Sequence, residues 1–404
     1  MKLYKKFNAG SKSFSGKISS IPVKLAVEGI MRNASAGLEE VMTEAGLAVI
    51  RQIMEGERQR HLEDGRGYRH GSQRGWIQLG GRKVNIESLR MRKNKGGEIP
   101  LSSYKAFQGG DELARRAYGD MIRNVSTRDY QGGVEGFMRG YGISKSSVSR
   151  RFITASEEKL RELMERRLDK LDLAAILIDG KGFGDILVIT ALGIDITGRK
   201  HVLGLWQGAT ENAAVCEALL ADLIRRGLDT RRRYLFITDG SKALRKAIKK
   251  TFGGMAATQR CQEHKKRNVL GHLPEGLQPE YRRKLNAAYA MTEYGSAKAA
   301  LWACVRELER INPSAAASLE EGLEDTLTLH RLGASEALRK SLRTTNCIES
   351  AFSSVGYRTG RVTRWRGGDH VQRWAAAALL FAESRWRKVK GWKHLKSLRE
   401  ALDK

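Results

Sequence analysis

Ala174–Gly180 reads AAILIDG: five apolar residues, then an acid at Asp179 and a glycine. A short apolar run bounded by turn residues is the pattern of a strand buried on both faces. A carboxylate at the mouth of such a strand needs a reason. Further along, Tyr234–Gly240 repeats the pattern as YLFITDG, again an apolar run ending in Asp–Gly. Two such strands side by side bring Asp179 and Asp239 to one edge of a sheet, where like charges are costly unless a cation lies between them. Asp–Gly is also ordinary turn chemistry, so either acid alone is compatible with a plain turn. The pair, in the strand order below, points to a metal.

The segments around these strands set that order. Asp185–Asp195 (DILVITALGID) is an apolar strand after a turn at Gly180–Gly184, and His201–Gly208 (HVLGLWQG) follows a second tight turn. Three strands joined by short turns are antiparallel. Asn212–Gly227 is an amphipathic helix with a glycine stop, which leads into the strand ending at Asp239. A strand–helix–strand crossover makes that strand parallel to its neighbour. Ser241–Phe252 is a further helix, and a short strand lies around Thr258–Gln262. This is the order of a ribonuclease H-like α/β core with a mixed five-stranded sheet, in which the fourth strand lies beside the first.

Composition narrows the partners. Among 404 residues, Lys+Arg number 73 against 45 Asp+Glu, a formal net charge of +28. A chain this basic commonly serves a polyanion, because phosphates attract it at long range and release counterions on contact. The four cysteines, Cys216, Cys261, Cys304 and Cys347, are widely spread without a CxxC pair. That argues against a disulfide framework or a four-cysteine zinc site and fits a reducing, cytoplasmic setting. No apolar run approaches the roughly 18 residues needed to cross a membrane. The basic start, with Lys2, Lys5 and Lys6, lacks the apolar stretch of a secretory signal.

Before the core, Val41–Met54 has helical spacing, and HLEDGRGYRHGSQRGW reads as a solvated loop in which His61 and His70 match no finger spacing. WIQLGGRKVNIESLRMR alternates around Gly80–Gly81 and predicts a β-hairpin. Residues 126–152 predict a helix, a break at Arg139–Gly142 and a second helix rich in Ser, Lys and Arg, the pattern of a helix-turn-helix. There Val148 and Phe152 would pack inward, while Lys145, Ser146, Ser149, Arg150 and Arg151 would meet DNA. A basic helical hairpin without a DNA role is the competing reading. Glu157–Leu171 predicts a charged helical connector. Beyond the core, residues 276–340 read as an all-helical insertion. A new helix from Thr344 carries Glu349, where Asn346-x-x-Glu349 also fits a capping box that would make the acid a mere cap. The domain boundaries implied are 1–110, 111–171, 172–275, 276–340 and 341–404.

Four motifs together resemble the Mutator-like bacterial insertion-sequence transposases: ILIDG at Asp179, FITDGSKALRKAI at Asp239, QRCQEHKKRNVL with Cys261 and His264, and LRTTNCIES at Glu349. The resemblance spans about residues 60–390. It implies that Asp179, Asp239 and Glu349 form a DDE triad holding Mg²⁺, with Mn²⁺ as a substitute, which cuts and joins DNA strands. It also implies binding to the terminal inverted repeats of a mobile element and to target DNA, as a homodimer or higher oligomer at the bacterial nucleoid. Two-metal chemistry suits in-line displacement at phosphorus, and three carboxylates with waters suffice for Mg²⁺. Cys261 and His264 alone do not complete a zinc site, which takes four ligands. The expectation is that His264 lies near the scissile phosphate with Cys261 packed beneath it, the competing reading being plain core and surface. Lys265, Lys266, Arg267 and Arg343 are candidate phosphate contacts. Two other classes compete: a non-catalytic DNA-binding regulator, and a ribonuclease H-like nuclease that cuts without joining.

Overall fold

The computed structural model describes residues 38–79, 82–108, 118–124, 145–209 and 212–404. The chain divides into two compact units, Met1–Ala117 with Thr127–Arg151, and Tyr118–Ser126 with Phe152–Lys404.

In the first unit, helix α1 (Leu38–Glu63) packs on a two-stranded antiparallel hairpin, β1 (Tyr68–Leu79) and β2 (Arg82–Arg92). Leu47, Ile50 and Met54 of α1 meet Ile77 of β1 and Val84, Ile86 and Met91 of β2 in one apolar core. A short helix α2 (Ser102–Gln108) follows. Glu57 accepts hydrogen bonds from the amides and hydroxyls of Ser102 and Ser103. Burial works to raise that carboxyl, but these bonds outweigh it and hold the acid at about 2.

The hairpin is where the sequence expected it, yet longer. Much of the segment read as a solvated loop is strand, because Tyr68 and Arg69 pair with Arg92 and Met91 across a register shift before Ser72. Cross-strand pairing there overrides the local Gly and Arg content, with Gly71 taking a positive φ of 72°. His61 ends up in the last turn of α1, beside Glu57, and His70 lies in β1.

Of the expected helix-turn-helix, residues 125–144 lie outside the described residues. Its second helix is described as α3 (Lys145–Glu165), and the charged connector is not separate from it: one helix continues through both and stops at Glu165, short of Leu171. Ser149 is half-buried and Arg150 exposed. Phe152 is buried, as the spacing predicted, and its ring packs 4.3 Å from that of Trp374 and 6.0 Å from that of Tyr118.

The second unit is built on a five-stranded sheet: β3 (Leu173–Phe183), β4 (Ile186–Asp195), β5 (Lys200–Gly208), β6 (Tyr234–Thr238) and β7 (Ala256–Arg260), in the spatial order β5-β4-β3-β6-β7. β3, β4 and β5 are antiparallel, and β6 and β7 run parallel to β3. The fourth strand of this sheet therefore lies beside the first, as the crossover predicted. Helices α4 (Ala213–Arg225) and α5 (Lys242–Phe252) supply the crossovers. Each starts on a side-chain cap, Asn212 Oδ1 accepting from Val215 N and Ser241 Oγ from Leu244 N. Their apolar faces bury Cys216, Leu219, Leu223, Leu244 and Ile248 against Ile176 and Ile178 of β3 and Phe236 of β6.

One expectation needs correction. β3 does not end at Asp179, and Gly180–Gly184 is not the turn. Pairing with β4 continues residue by residue through Asp179↔Thr190 to Phe183↔Ile186, so the strand outlasts its apolar run. The turn is the pair Gly184–Asp185, with Gly184 at φ +60°, as a two-residue hairpin requires.

After α6 (Gln262–Gly271), residues 276–340 are helical throughout, as expected: α7 (Gln278–Ala290), α8 (Tyr294–Ile311), α9 (Pro313–Glu320), two single turns α10 (Leu323–Thr326) and α11 (Thr328–Arg331), and α12 (Glu336–Leu342). Tyr281, Leu285, Leu301, Val305 and Leu319 give this insertion its own core, continuous with Val269 and Leu270 of α6. The chain then returns as α13 (Asn346–Thr359) and α14 (Gly368–Glu383), which pack on β3 and β5, before a C-terminal helix α15 (Leu395–Asp403). Glu383 fixes α14 to the sheet by accepting from Val202 N of β5 at 3.0 Å and from Arg166 at 2.8 Å.

Candidate active site

Strand alternation decides which side chains meet. On β3, Ile176 and Ile178 face α4 and α5, so Leu177, Asp179, Lys181 and Phe183 share the opposite face, under α13. The parallel ladder pairs Ala175 with Leu235, Ile176 with Phe236 and Leu177 with Ile237. Continued by two residues, the same offset sets Asp179 beside Asp239 on that face. β6 stops at Thr238. The two acids therefore stand where a parallel pair ends and the strand order changes direction, the place where open α/β sheets bind ligands.

Each acid is held by backbone. Asp179 Oδ1 accepts from Gly180 N at 2.8 Å, and Asp239 Oδ1 accepts from Ser241 N at 2.9 Å. Burial pushes the Asp179 carboxyl up to about 7. The charges of Asp239 and Glu349 add to the rise, against the Gly180 amide and His264. Burial is the main cause of the rise, and repulsion by the other two acids adds to it.

Glu349 arrives from α13. The capping-box reading is not what the structure shows: Thr345 occupies the cap position and Asn346 is the first helical residue. Rather than reaching back to a backbone amide, Glu349 Oε1 accepts from Thr345 Oγ1 at 3.0 Å. Thr345 is fully buried, and its hydroxyl also lies 3.4 Å from His264 Nδ1 and 3.5 Å from Cys261 Sγ. His264 Nε2 is 3.8 Å from Glu349 Oε1.

Cys261 precedes α6 and is anchored by its amide to Thr238 O at 2.8 Å, at the end of β6. Burial would raise its thiol, but hydrogen bonding with His264 and Thr345 outweighs burial and lowers it. The same bond to Cys261 raises His264 against burial, helped by the charges of Asp179 and Glu349. His264 is thus drawn toward its cationic form between the acids, and Cys261 lies beneath it with no exposure.

The basic candidates separate. Lys265 is fully buried, and its ammonium donates to the carbonyls of Ser318 and Glu321. Its site is a joint between α6 and the insertion, which corrects the phosphate assignment. Burial pushes it down to about 8, with Arg260 adding to the fall. Lys266, 7 % exposed, donates to Glu263 and Asn286. Arg267 is exposed. Arg343 joins Lys266, Arg282, Arg339 and Glu263 around a cleft of about 490 Å³. All five helix-turn-helix candidates belong to α3; the side chains of Lys145 and Ser146 lie outside those described, while Ser149 is half-buried and Arg150 exposed.

Sequence reasoning missed Thr345 and Lys181. The signal for Lys181 was present, since it stands two residues past Asp179 and so on the same strand face. Thr345 offered none, because its partners Cys261 and His264 lie 84 and 81 positions away.

As a metal centre, the donor chemistry fits: three carboxylates are hard oxygen ligands of the kind Mg²⁺ takes. Among the described residues, however, no three His, Cys, Asp or Glu side chains are gathered closely enough to chelate an ion.

Known proteins place the chain in context. A family model described as transposase, Mutator family, matches residues 20–388. The chain is 26% identical over 389 residues to the transposase for insertion sequence element ISRM5 of Rhizobium meliloti, covering 93% of this chain and 95% of that protein. It is 29% identical over 259 residues to the transposase for insertion sequence element IS6120 of Mycolicibacterium smegmatis, with 61% and 76% covered. With the transposase for insertion sequence element IST2 of Acidithiobacillus ferrooxidans it shares 29% over 201 residues, with 50% and 67% covered.

Proposed function

The chain belongs to the Mutator family of transposases, enzymes that act on DNA, and we propose that Asp179, Asp239 and Glu349 are the catalytic triad of a DDE transposase on a ribonuclease H-like core. The observation that carries this is the approach of the three acids to one another where the β3–β6 pairing runs out, with the Asp179 carboxyl raised by burial first and by the charges of the other two. Mg²⁺ bound there would supply Lewis-acid stabilisation of the charge that develops during in-line displacement at phosphorus. The chain's own residues do the rest. Asp179 and Asp239, held by the Gly180 and Ser241 amides, present fixed oxygens from the sheet. Glu349 closes the set from the helix above, oriented by Thr345. His264, raised by Cys261, offers a cationic N–H beside Glu349 to a phosphate oxygen.

In this reading α3 and the residues before it bind the element's terminal inverted repeats, and a homodimer or larger assembly pairs two ends at the nucleoid. Among the described residues no helix is long and apolar enough to cross a membrane.

The test uses the full chain, a duplex carrying the element's terminal repeat, and Mg²⁺ or Mn²⁺. Glu349→Gln and Asp179→Asn should bind the duplex as wild type does and neither cut nor join it. Cleavage retained by either variant overturns the triad. Loss of both Lys145 and Arg150 should weaken end binding and reduce the salt slope by about 2. Unchanged affinity and specificity in a gel-shift titration would remove the helix-turn-helix from the account.

A further inference from the structure

Tyr357 is 66% exposed, the most exposed of the large apolar side chains among the described residues. It stands on α13, the helix that carries Glu349. At about 100° per residue, Glu349, Ser353, Gly356, Tyr357 and Gly360 fall within one arc of about 100°. The inner face of the helix is different, burying Ile348, Ala351, Phe352 and Val355. Eight residues of α-helix rise about 12 Å, so Tyr357 lies about three B-form nucleotide steps, at roughly 3.4 Å each, from the acid.

What lies between them is low. Gly356 has no side chain, and the Ser353 hydroxyl is turned back onto Glu349 O at 3.0 Å. The floor of this path is the far end of β3. A methyl placed on Gly356 would lie 3.7 Å from the Lys181 ammonium. Beyond it, Phe183 takes the edge of Trp365 at 5.3 Å, and Trp365 lies 5.2 Å from His370, an aromatic wedge that holds the loop after α13 against the strand. That loop exposes Arg361, Arg364 and Arg366. An exposed aromatic ring beside cationic groups is how proteins hold unstacked nucleic acid, since every base offers a ring face and every step a phosphate.

We infer that this face of α13 takes the DNA strand leaving the scissile phosphate, with Tyr357 stacking on an unpaired or terminal base within the first four nucleotides. Lys181, Arg364 and Arg366 meet its phosphates. The inference rests on the reading of Asp179, Asp239 and Glu349 as the reacting centre, and assigns what lies next to it.

The experiment uses the full chain in EDTA with terminal-repeat duplexes carrying 2-aminopurine at each of the four positions on either side of the mapped cleavage site. Wild type should change the fluorescence at one or two adjacent positions. Tyr357→Ala should abolish that change, while Tyr357→Phe and Tyr357→Trp keep it. In Mg²⁺, Tyr357→Ala should lower kcat/KM about tenfold, the scale of one lost base stack, with Tyr357→Phe near wild type and an unchanged Tm. Arg364→Ala with Arg366→Ala should reduce the salt slope by about 2. Fluorescence and cleavage at wild-type level in Tyr357→Ala would overturn the inference, even where Asp179→Asn is inactive. Conversely, an active Asp179→Asn would remove the triad while a lost stacking signal in Tyr357→Ala still supported the surface.

Discussion

Asp179 and Asp239 stand on neighbouring strands, and each is held by an amide one or two residues further along its own chain segment. Glu349 is held differently. Its carboxylate is tied through the Thr345 hydroxyl to Cys261 and His264, from a segment far away in sequence. One half of the site is placed by sheet register, and a side chain there can be lost without moving its neighbours. The other half is placed by side chains, so each one positions the next. The strand half should therefore fail chemically when changed, and the helix half both chemically and geometrically.

The largest effect follows from the strand half. Asp179→Asn should abolish cleavage, a loss of at least about a thousandfold where an acid acts as part of a unit, and should not unfold the protein. The pH dependence of stability gives an independent check in EDTA. Between the ordinary carboxylate range and about 7, folded Asp179 keeps a proton that the unfolded chain has released. Stability is thus fully present at acid pH and falls as pH rises through that window. Asp179→Asn has no proton to lose. Its Tm should exceed that of wild type at pH 8 by several degrees, with the gap closing toward pH 4. A gap that stays constant with pH would mean that Asp179 is not the strained acid.

The helix half should respond in a graded order. His264→Ala removes the cationic group facing Glu349 and should cut cleavage by about 10²- to 10³-fold, with end binding retained. Thr345→Val keeps the shape but leaves Glu349 and His264 without their shared hydroxyl. About tenfold to a hundredfold loss is expected, largely restored in Thr345→Ser. Cys261→Ser should be milder still, because serine keeps a hydrogen-bonding atom under His264. Single-turnover cleavage measured beside Tm separates these variants. Equal Tm losses that track the loss of activity would make the whole cluster a packing unit and erase the contrast with the strands.

That contrast also explains what the sequence disclosed. AAILIDG and YLFITDG carry their placement within themselves: apolar runs imply buried strands, a helix between them implies a parallel pair, and the matched endings imply adjacent acids. The end of β3 lies past its apolar run because its last residues, Lys181–Phe183, are kept in the strand by β4 and not by their own polarity. The hairpin outruns its sequence pattern for the same reason, with β2 holding Tyr68 and Arg69 in a ladder that their neighbours' glycines argue against. Glu349 remained open between cap and ligand, since local spacing serves both. Only the position of Thr345 ahead of Asn346 removes the capping box. Lys265 and Arg267 look alike in a basic run, and nothing local says that one points into the insertion and the other away.

Those two lysine and arginine positions yield the smallest expected effect and a direct test of how the helix half is anchored. α6 carries His264, and Lys265 beside it donates to the carbonyls of Ser318 and Glu321 in the insertion. Replacing it with methionine takes this donor from Ser318 O, while Glu321 O keeps the one from Arg260 at 2.9 Å, a cost of about 1–3 kcal/mol. Relief from burying an ammonium offsets part of that cost. Lys265→Met should therefore lower Tm by a few degrees and cleavage by about two- to fivefold, with DNA affinity unchanged at any salt concentration. Arg267→Ala removes an exposed charge, so Tm should hold while the salt slope of DNA binding falls by about 1. If the roles came out exchanged, with Lys265→Met weakening DNA binding at constant Tm, the ammonium would leave its carbonyls to meet phosphate. The insertion would then not be what holds His264 in place, and the helix half would need another anchor.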